Sequence, residues 1–230
     1  AISGETIDYG PCAFMDHYDP KTVFSSIDKF GRYSFSNQPA ITKWNLARFA
    51  ECLIPLIDKK EDMAIKIATE TIDNFQNIYE TKWLNMMRDK LGLFGEEKYD
   101  LELINNLLNW MKKNHADYTN TFCYLMNVNS NKEEMYNDKN FINWFKNWEK
   151  RIFINKGSKE KSLDLMKKNN PIVIPRNHKV EEVLEAANKN DLKPMNNLLS
   201  ILKTPYTYHS GIEKYQDPSN NYNYQTFCGT

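Results

Sequence analysis

The chain has 230 residues, 41% of them hydrophobic and 13% aromatic, and its thirty basic residues are balanced by thirty acidic ones. That share of core-forming side chains excludes wholesale disorder, and a net charge of zero excludes a general field that would draw the chain onto nucleic acid or an anionic membrane. The length fits one large domain or one and a half smaller ones.

Residues 1–38 show no helical periodicity, and Asp8-Tyr9-Gly10-Pro11, Tyr18-Asp19-Pro20 and Gly31-Arg32-Tyr33 read as turns and loop. Ile2 and Thr6-Ile7 read as strand. A chain opening at Ala1 inside a strand carries the expectation of a domain without its beginning. So long a loop ahead of a helix is more often functional than not.

From Pro39 the pattern becomes helical, with Ile41, Trp44, Phe49, Cys52 and Leu53 at helical spacing until Pro55 is expected to stop it. Residues 61–91 read as one long helix or two joined, striped by Met63, Ile67, Ile72, Phe75, Tyr79, Trp83 and Met87, with Gly92 as the stop. Asp100 heads the next helix, whose apolar face is Ile104, Leu107, Leu108 and Met111. Residues 117–127 and 139–154 read as two more, the second carrying Phe141, Trp144, Phe145, Trp148 and Ile152. Ser158 caps a helix to about Lys168. The two prolines of Asn170-Pro171-Ile172-Val173-Ile174-Pro175-Arg176 bracket a β-branched run and make it extended. Short helices follow at 179–189 and 192–203, then an irregular tail rich in Tyr and Asn. The reading is mainly α: a loop region at 1–38, a helical body at 39–204 and a tail at 205–230.

Asp8-Tyr9-Gly10 is the first chemical candidate. Kinase-type sites end a strand in Asp-aromatic-Gly so that the carboxylate reaches a metal bridging nucleotide phosphates, while the aromatic anchors the segment and Gly permits the turn. The same tripeptide is also an ordinary turn, and those three residues alone leave both readings open. Cys228, close to the end of the sequence, is a candidate mobile thiol or an incidental one. His17 between Asp16 and Asp19 could bind metal or carry a proton, or belong to a solvated polar loop. His115, His178 and His209 read as scattered residues without partners. The stripes Trp144/Trp148 and Phe75/Tyr79 read as helical core. The lysine clusters at 156–161 and 166–168 read as solvated helix faces. The four cysteines, at 12, 52, 123 and 228, form no CxxC or Cys/His cluster, which argues against structural zinc. The apolar run from Cys52 to Ile57 is too short to span a bilayer. No asparagine heads a glycosylation sequon and the start does not resemble a signal peptide, so the expected setting is cytoplasmic.

Taken in order, Thr6-Ile7-Asp8-Tyr9-Gly10-Pro11, Asp19-Pro20, Gly31-Arg32-Tyr33-Ser34-Phe35, Asn37-Gln38-Pro39-Ala40 and Trp44-Asn45-Leu46 form a series of motifs. It continues through Lys90-Leu91-Gly92-Leu93, Asp117-Tyr118-Thr119-Asn120-Thr121-Phe122, Asn170-Pro171, Pro175-Arg176-Asn177-His178 and Thr204-Pro205-Tyr206, and closes on a cysteine near the end. In this the chain resembles the SelO family from end to end. The resemblance implies a protein-kinase-like (pseudokinase) fold, of which this sequence would hold the distal part of the C-lobe and a helical extension. It implies an enzyme that binds ATP in a flipped orientation and transfers AMP to Ser, Thr or Tyr hydroxyls of protein substrates, with Mg²⁺ or Mn²⁺ as cofactor. Asp8 matches the family's metal-binding aspartate.

The resemblance also implies what this sequence lacks. The family's catalytic Asp-Asn pair would fall just before Ala1, and its phosphate-contacting Lys and Arg residues and glycine-rich loop further upstream. The 230 residues alone are therefore expected to be inactive and not to bind Mg-ATP tightly. Cys228 matches a redox-active cysteine of the family, but the position of its bacterial partner is Phe24 here. Cys12 is the nearest cysteine, so a Cys12–Cys228 disulfide is expected, acting as a switch in a reducing compartment. An ordinary kinase fits less well because no Ala-Pro-Glu follows the loop. The alternative reading is a non-catalytic helical module that binds a partner protein. The chain is expected to be monomeric.

Overall fold

A computed structural model describes residue 5 and residues 13–128, 133–155 and 157–219. The chain is mainly helical. In order come α1 (Gln38–Ile57), α2 (Glu61–Asp73), α3 (Phe75–Lys90), α4 (Asp100–Lys113), α5 (Tyr118–Leu125), α6 (Glu133–Tyr136), α7 (Lys139–Ile152), α8 (Lys159–Asn169), α9 (Asn177–Asn188), α10 (Lys193–Leu202) and α11 (Glu213–Gln216). A 3-10 turn, Phe35–Asn37, leads into α1. Among the described residues no strand forms, and β pairing is limited to a single antiparallel bridge between His17 and Asp117. The strand-like residues Ile2 and Thr6-Ile7 lie outside the described residues.

Helix ends follow local chemistry. Asp117 Oδ1 accepts from Asn120 N, Asp138 Oδ2 from Asn140 N and Phe141 N, and Ser158 Oγ from Lys161 N, each taking up amides that the first helical turn leaves unpaired. Left-handed residues close several helices: Gly92 after α3, Asn127 after α5, Asn155 after α7 and Asn190 after α9. Gly92 is also required by packing, since a Cβ there would lie 2.6 Å from the Ser162 carbonyl oxygen of α8. Pro55 does not stop α1, which runs on to Ile57. A proline so close to the C-terminal end removes one amide bond of the last turn and leaves the helix before it intact.

The core is built where α4 packs on α7, with α5, the end of α3, Met166 of α8 and the extended pair Ile172-Val173 closing around them. Ile104, Leu107, Leu108 and Met111 are buried, as are Phe141, Trp144, Trp148 and Ile152. Each large apolar side chain removed from water contributes roughly 1.5–3 kcal/mol. The buried indoles also keep their N–H groups bonded: Trp110 to Asp138 Oδ2, Trp144 to the Leu103 carbonyl and Trp148 to the Leu91 carbonyl, at 2.8–2.9 Å.

The front of the helical body differs. α1 and α2 pack chiefly on each other, and of the expected α1 stripe only Ile41 is buried, with Leu53 partly so. Trp44, Phe49 and Cys52 are exposed, as are Met63 and Ile67 of α2. Phe75 and Tyr79 stack on each other but are only half-buried, so that stripe is not core.

Candidate functional site

The segment that follows Asp8-Tyr9-Gly10 is fixed on both sides. On one side it pairs with the link between α4 and α5, where His115, at φ 51°, turns the chain. Tyr18 N donates to the Ala116 carbonyl and Tyr118 N to the Asp16 carbonyl, both at 2.9 Å. On the other side the Asn177 side chain acts like a strand edge. Its Oδ1 accepts from Phe14 N at 2.9 Å and its Nδ2 donates to the Phe14 carbonyl at 2.8 Å. Backbone groups that have no helix or sheet to pair in are thereby satisfied.

Arg176 ties these pieces together and is fully buried. It ends the extended stretch that begins at Asn170, and α9 starts at the next residue. Nη1 donates to Asp16 Oδ1 and Asp117 Oδ2, both at 2.8 Å, while Nη2 donates to Asp117 Oδ1 at 3.2 Å and to the Gln216 carbonyl at 2.6 Å. A planar fork of donors suits such a site where an ammonium would not. Burial pushes the Asp117 carboxyl up in spite of the guanidinium beside it. Ser219 N donates to Asp16 Oδ2 at 3.3 Å, and Gln216 Nε2 to the Ile172 carbonyl at 2.7 Å. Residues 216–219 thus reach Asp16, Ile172 and Arg176.

The loop beyond is organised by its own residues. Asp28 accepts from the amides of Arg32 and Tyr33, both at 2.8 Å, with Gly31 at φ +66° between them. The Arg32 guanidinium sits 4.7 Å from the Trp44 ring centroid. Tyr18 stacks on Tyr118 at 5.7 Å, and Phe35 meets both edge-on. Between loop and body opens a cleft of about 700 Å³ lined by Phe14, Asp16, His17, Phe24, His115 and Asn177 among others.

Asp8, Cys12 and Cys228 lie outside the described residues. Asp16, His17 and Asp19 do not converge. Asp16 is held by Arg176, Asp19 caps the amide of Lys21 at 2.9 Å, and His17 Nδ1–H donates to the His115 carbonyl at 2.6 Å. No group of three or more potential metal ligands occurs among the described residues. His209 is not without a partner, because its Nε2 lies 2.8 Å from Thr204 Oγ1. Cys52 is exposed, and Cys123 is buried with its thiol pushed up to about 12 by burial.

Two buried ionic centres escape a reading of the sequence. One is Arg176. The other is Asp100, which receives Arg88 Nε at 2.7 Å, Arg151 Nε at 2.6 Å and Glu97 N at 3.0 Å. Arg151 reaches on to the carbonyls of Phe94 and Gly95, both at 3.0 Å, and so fixes the turn between α3 and α4. No helix of the described residues is long and apolar enough to cross a membrane.

Comparison with known proteins bears on this arrangement. The family model described as "Protein adenylyltransferase SelO" matches residues 1–203. A "Protein nucleotidyltransferase YdiU" of Pelagibacter ubique is 60% identical over all of this chain and 48% of its own length. Proteins of the same description from Nitrosococcus oceani and Clostridium botulinum (strain Eklund 17B) are 49% and 51% identical, again over the whole chain and 47% of their length. The chain spans about half the length of the curated relatives it matches.

Proposed function

Since the chain belongs to the SelO family, we propose that it is the distal half of a protein adenylyltransferase that moves AMP from ATP to Ser, Thr or Tyr hydroxyls of other proteins. The acceptor oxygen attacks the α-phosphorus, the bond from that phosphorus to the bridging oxygen breaks, and pyrophosphate leaves as the hydroxyl proton is lost. Positioning and charge neutralisation carry such a transfer. Asp8 is the residue through which this half would hold Mg²⁺ or Mn²⁺, and the ion, when bound, would neutralise phosphate charge.

The observation that carries the reading is the match of the SelO family model to residues 1–203, a span that takes in Asp8-Tyr9-Gly10. Among the described residues, Arg176, Asn177 and the 115–118 link anchor residues 14–18, which follow that motif in sequence. The 230 residues by themselves neither bind Mg-ATP tightly nor catalyse, because one carboxylate is no phosphate clamp. A Cys12–Cys228 pairing would serve as a redox control, by the resemblance of Cys228 to the family's redox-active cysteine. The protein works as a monomer in the cytoplasm.

The test uses native-length protein incubated with ATP labelled on the α- or the γ-phosphate, beside Asp8→Ala. Label from the α position alone, lost in the variant, is the expected result. Transfer from γ makes it a conventional kinase. Transfer from neither favours a second reading, a protein-binding helical module, for which the exposed Trp44, Phe49 and Leu56 of α1 speak.

A further inference from the structure

Lysine is costly to bury, because its ammonium gives up hydration and finds no substitute in apolar surroundings. Lys90, the last residue of α3, is buried. Its Nζ lies 4.4 Å from the Phe122 ring centroid and 5.4 Å from that of Tyr118. Its hydrogen-bonding contact is the Asn169 carbonyl at 3.5 Å, at the outer limit for such a bond. Among the described residues no carboxylate forms an ion pair with it, although Lys43, Lys66, Lys112 and Lys179 all have one. Burial pulls its amine down to about 8.

Lys90 also lines a second cleft, of about 340 Å³, whose walls include Phe14, Phe24, Phe35, Phe122 and Ile174. Asn170 lines the same cleft. Its Nδ2 donates to the carbonyls of Lys90 and Met166 at 2.8 and 2.9 Å, while its buried Oδ1 has no donor among the described residues. The cleft is therefore lined by apolar walls, by a lysine with no counter-ion among the described residues and by an asparagine whose buried oxygen has no donor among them. For stability alone, an apolar side chain at position 90 would serve better, and a charge kept where it is costly is a reason to look for a ligand.

We propose that this cleft binds a small acid with an apolar body, its carboxylate on Lys90 and a neighbouring hydroxyl or amino donor toward Asn170. An aromatic 2-hydroxy acid carries all three features: a ring for the phenylalanine walls, a carboxylate and an adjacent donor. The ligand recognised is a free small molecule.

The probe is 3-phenyllactate, titrated calorimetrically into the 230-residue chain beside its methyl ester and inorganic phosphate. The acid is expected to bind saturably and one to one, with the ester at least tenfold weaker. Lys90→Met is expected to weaken the acid at least tenfold while keeping its helical circular dichroism and cooperative melt. Lys90→Arg keeps the charge and is expected to keep the preference for acid over ester, which preserves the test if Lys90→Met does not fold. Absence of saturable binding, equal binding of acid and ester, or wild-type affinity in Lys90→Met overturns the proposal and leaves an ammonium held by two rings. Phosphate binding as tightly as the acid overturns it too, because the apolar walls then contribute nothing.

Discussion

Arg176 and Asp16 meet at 2.8 Å although 160 positions separate them in the chain. The guanidinium belongs to the start of α9 and the carboxylate to the segment after Asp8-Tyr9-Gly10, so the pair joins the front of the sequence to its last third. The same nitrogen also serves Asp117, at the head of α5.

Removing that guanidinium strands two buried or nearly buried carboxylates. Arg176→Met is expected to lose roughly 3–5 kcal/mol of stability, the range for breaking a buried ion pair from one side. Arg176→Lys recovers little, because an ammonium cannot reproduce the fork to Asp117. Chemical denaturation of the three proteins checks this, and a loss below 1 kcal/mol in Arg176→Met would show the hub to be energetically idle.

Asp100 sets an acid limit. Burial alone would raise its carboxyl, but Arg151, the Glu97 amide and Arg88 outweigh it and hold the group below the usual carboxylate range. A carboxyl depressed in the fold contributes stability that is present above its unfolded pKa, about 3.9, and lost as pH falls through the folded value. Asp100→Asn should therefore be less stable than wild type near neutral pH, with the gap narrowing below about pH 4. Parallel acid titrations followed by circular dichroism measure that gap. A constant difference across the range would remove Asp100 as its source.

Lys90 acts in the opposite direction. Its amine falls from 10.5 to about 8 on folding, so below pH 8 the folded chain carries a charge it would be more stable without. Lys90→Met is expected to be more stable than wild type at pH 7, by up to about 3 kcal/mol if the whole shift is expressed. That advantage should shrink as pH rises from about 8 to about 10.5, where the unfolded lysine also loses its proton. The neighbouring Tyr118 phenol and Cys123 thiol are both pushed up by burial, and because Lys90 also acts on the Cys123 thiol, the comparison is made in a Cys123→Ala background. A variant that melts lower than wild type at pH 7 would mean the ring contacts outweigh the desolvation.

Gly92 tests the contact between α3 and α8. Its φ of +68° is strained for any side chain, and a Cβ would enter the van der Waals shell of the Ser162 carbonyl. Gly92→Ala should cost at least the roughly 1–3 kcal/mol of a residue held in an unfavourable backbone region. Thermal melting reads this directly, and an unchanged midpoint would mean that α8 moves aside freely.

Periodicity made most of the helical body legible, because α4 and α7 each present one apolar face to the other. At α1 and α2 it marked the helices correctly, yet Trp44, Phe49, Met63 and Ile67 face solvent, since a period marks a face without saying what covers it. The helix stops at Asn127, Asn155 and Asn190 were harder to see than Gly92, because asparagine serves turns, caps and surfaces alike. The ionic centres were not legible. Arg176 stands in Pro175-Arg176-Asn177-His178, but its carboxylate partners lie 59 and 160 positions away, and no spacing rule joins residues so far apart. His17 was the reverse case: its acidic neighbours in sequence turn to other partners in space.

The exposure of Trp44 has a spectroscopic consequence. Of the five tryptophans it alone lies substantially open to solvent, with Arg32 of the 13–37 loop resting on its face. Trp110, Trp144 and Trp148 are buried. Its emission should lie to the red of theirs and be the component quenched by iodide. Any event that lifts the loop from α1 then alters the light from one identifiable residue, and the protein reports the state of that loop without a label.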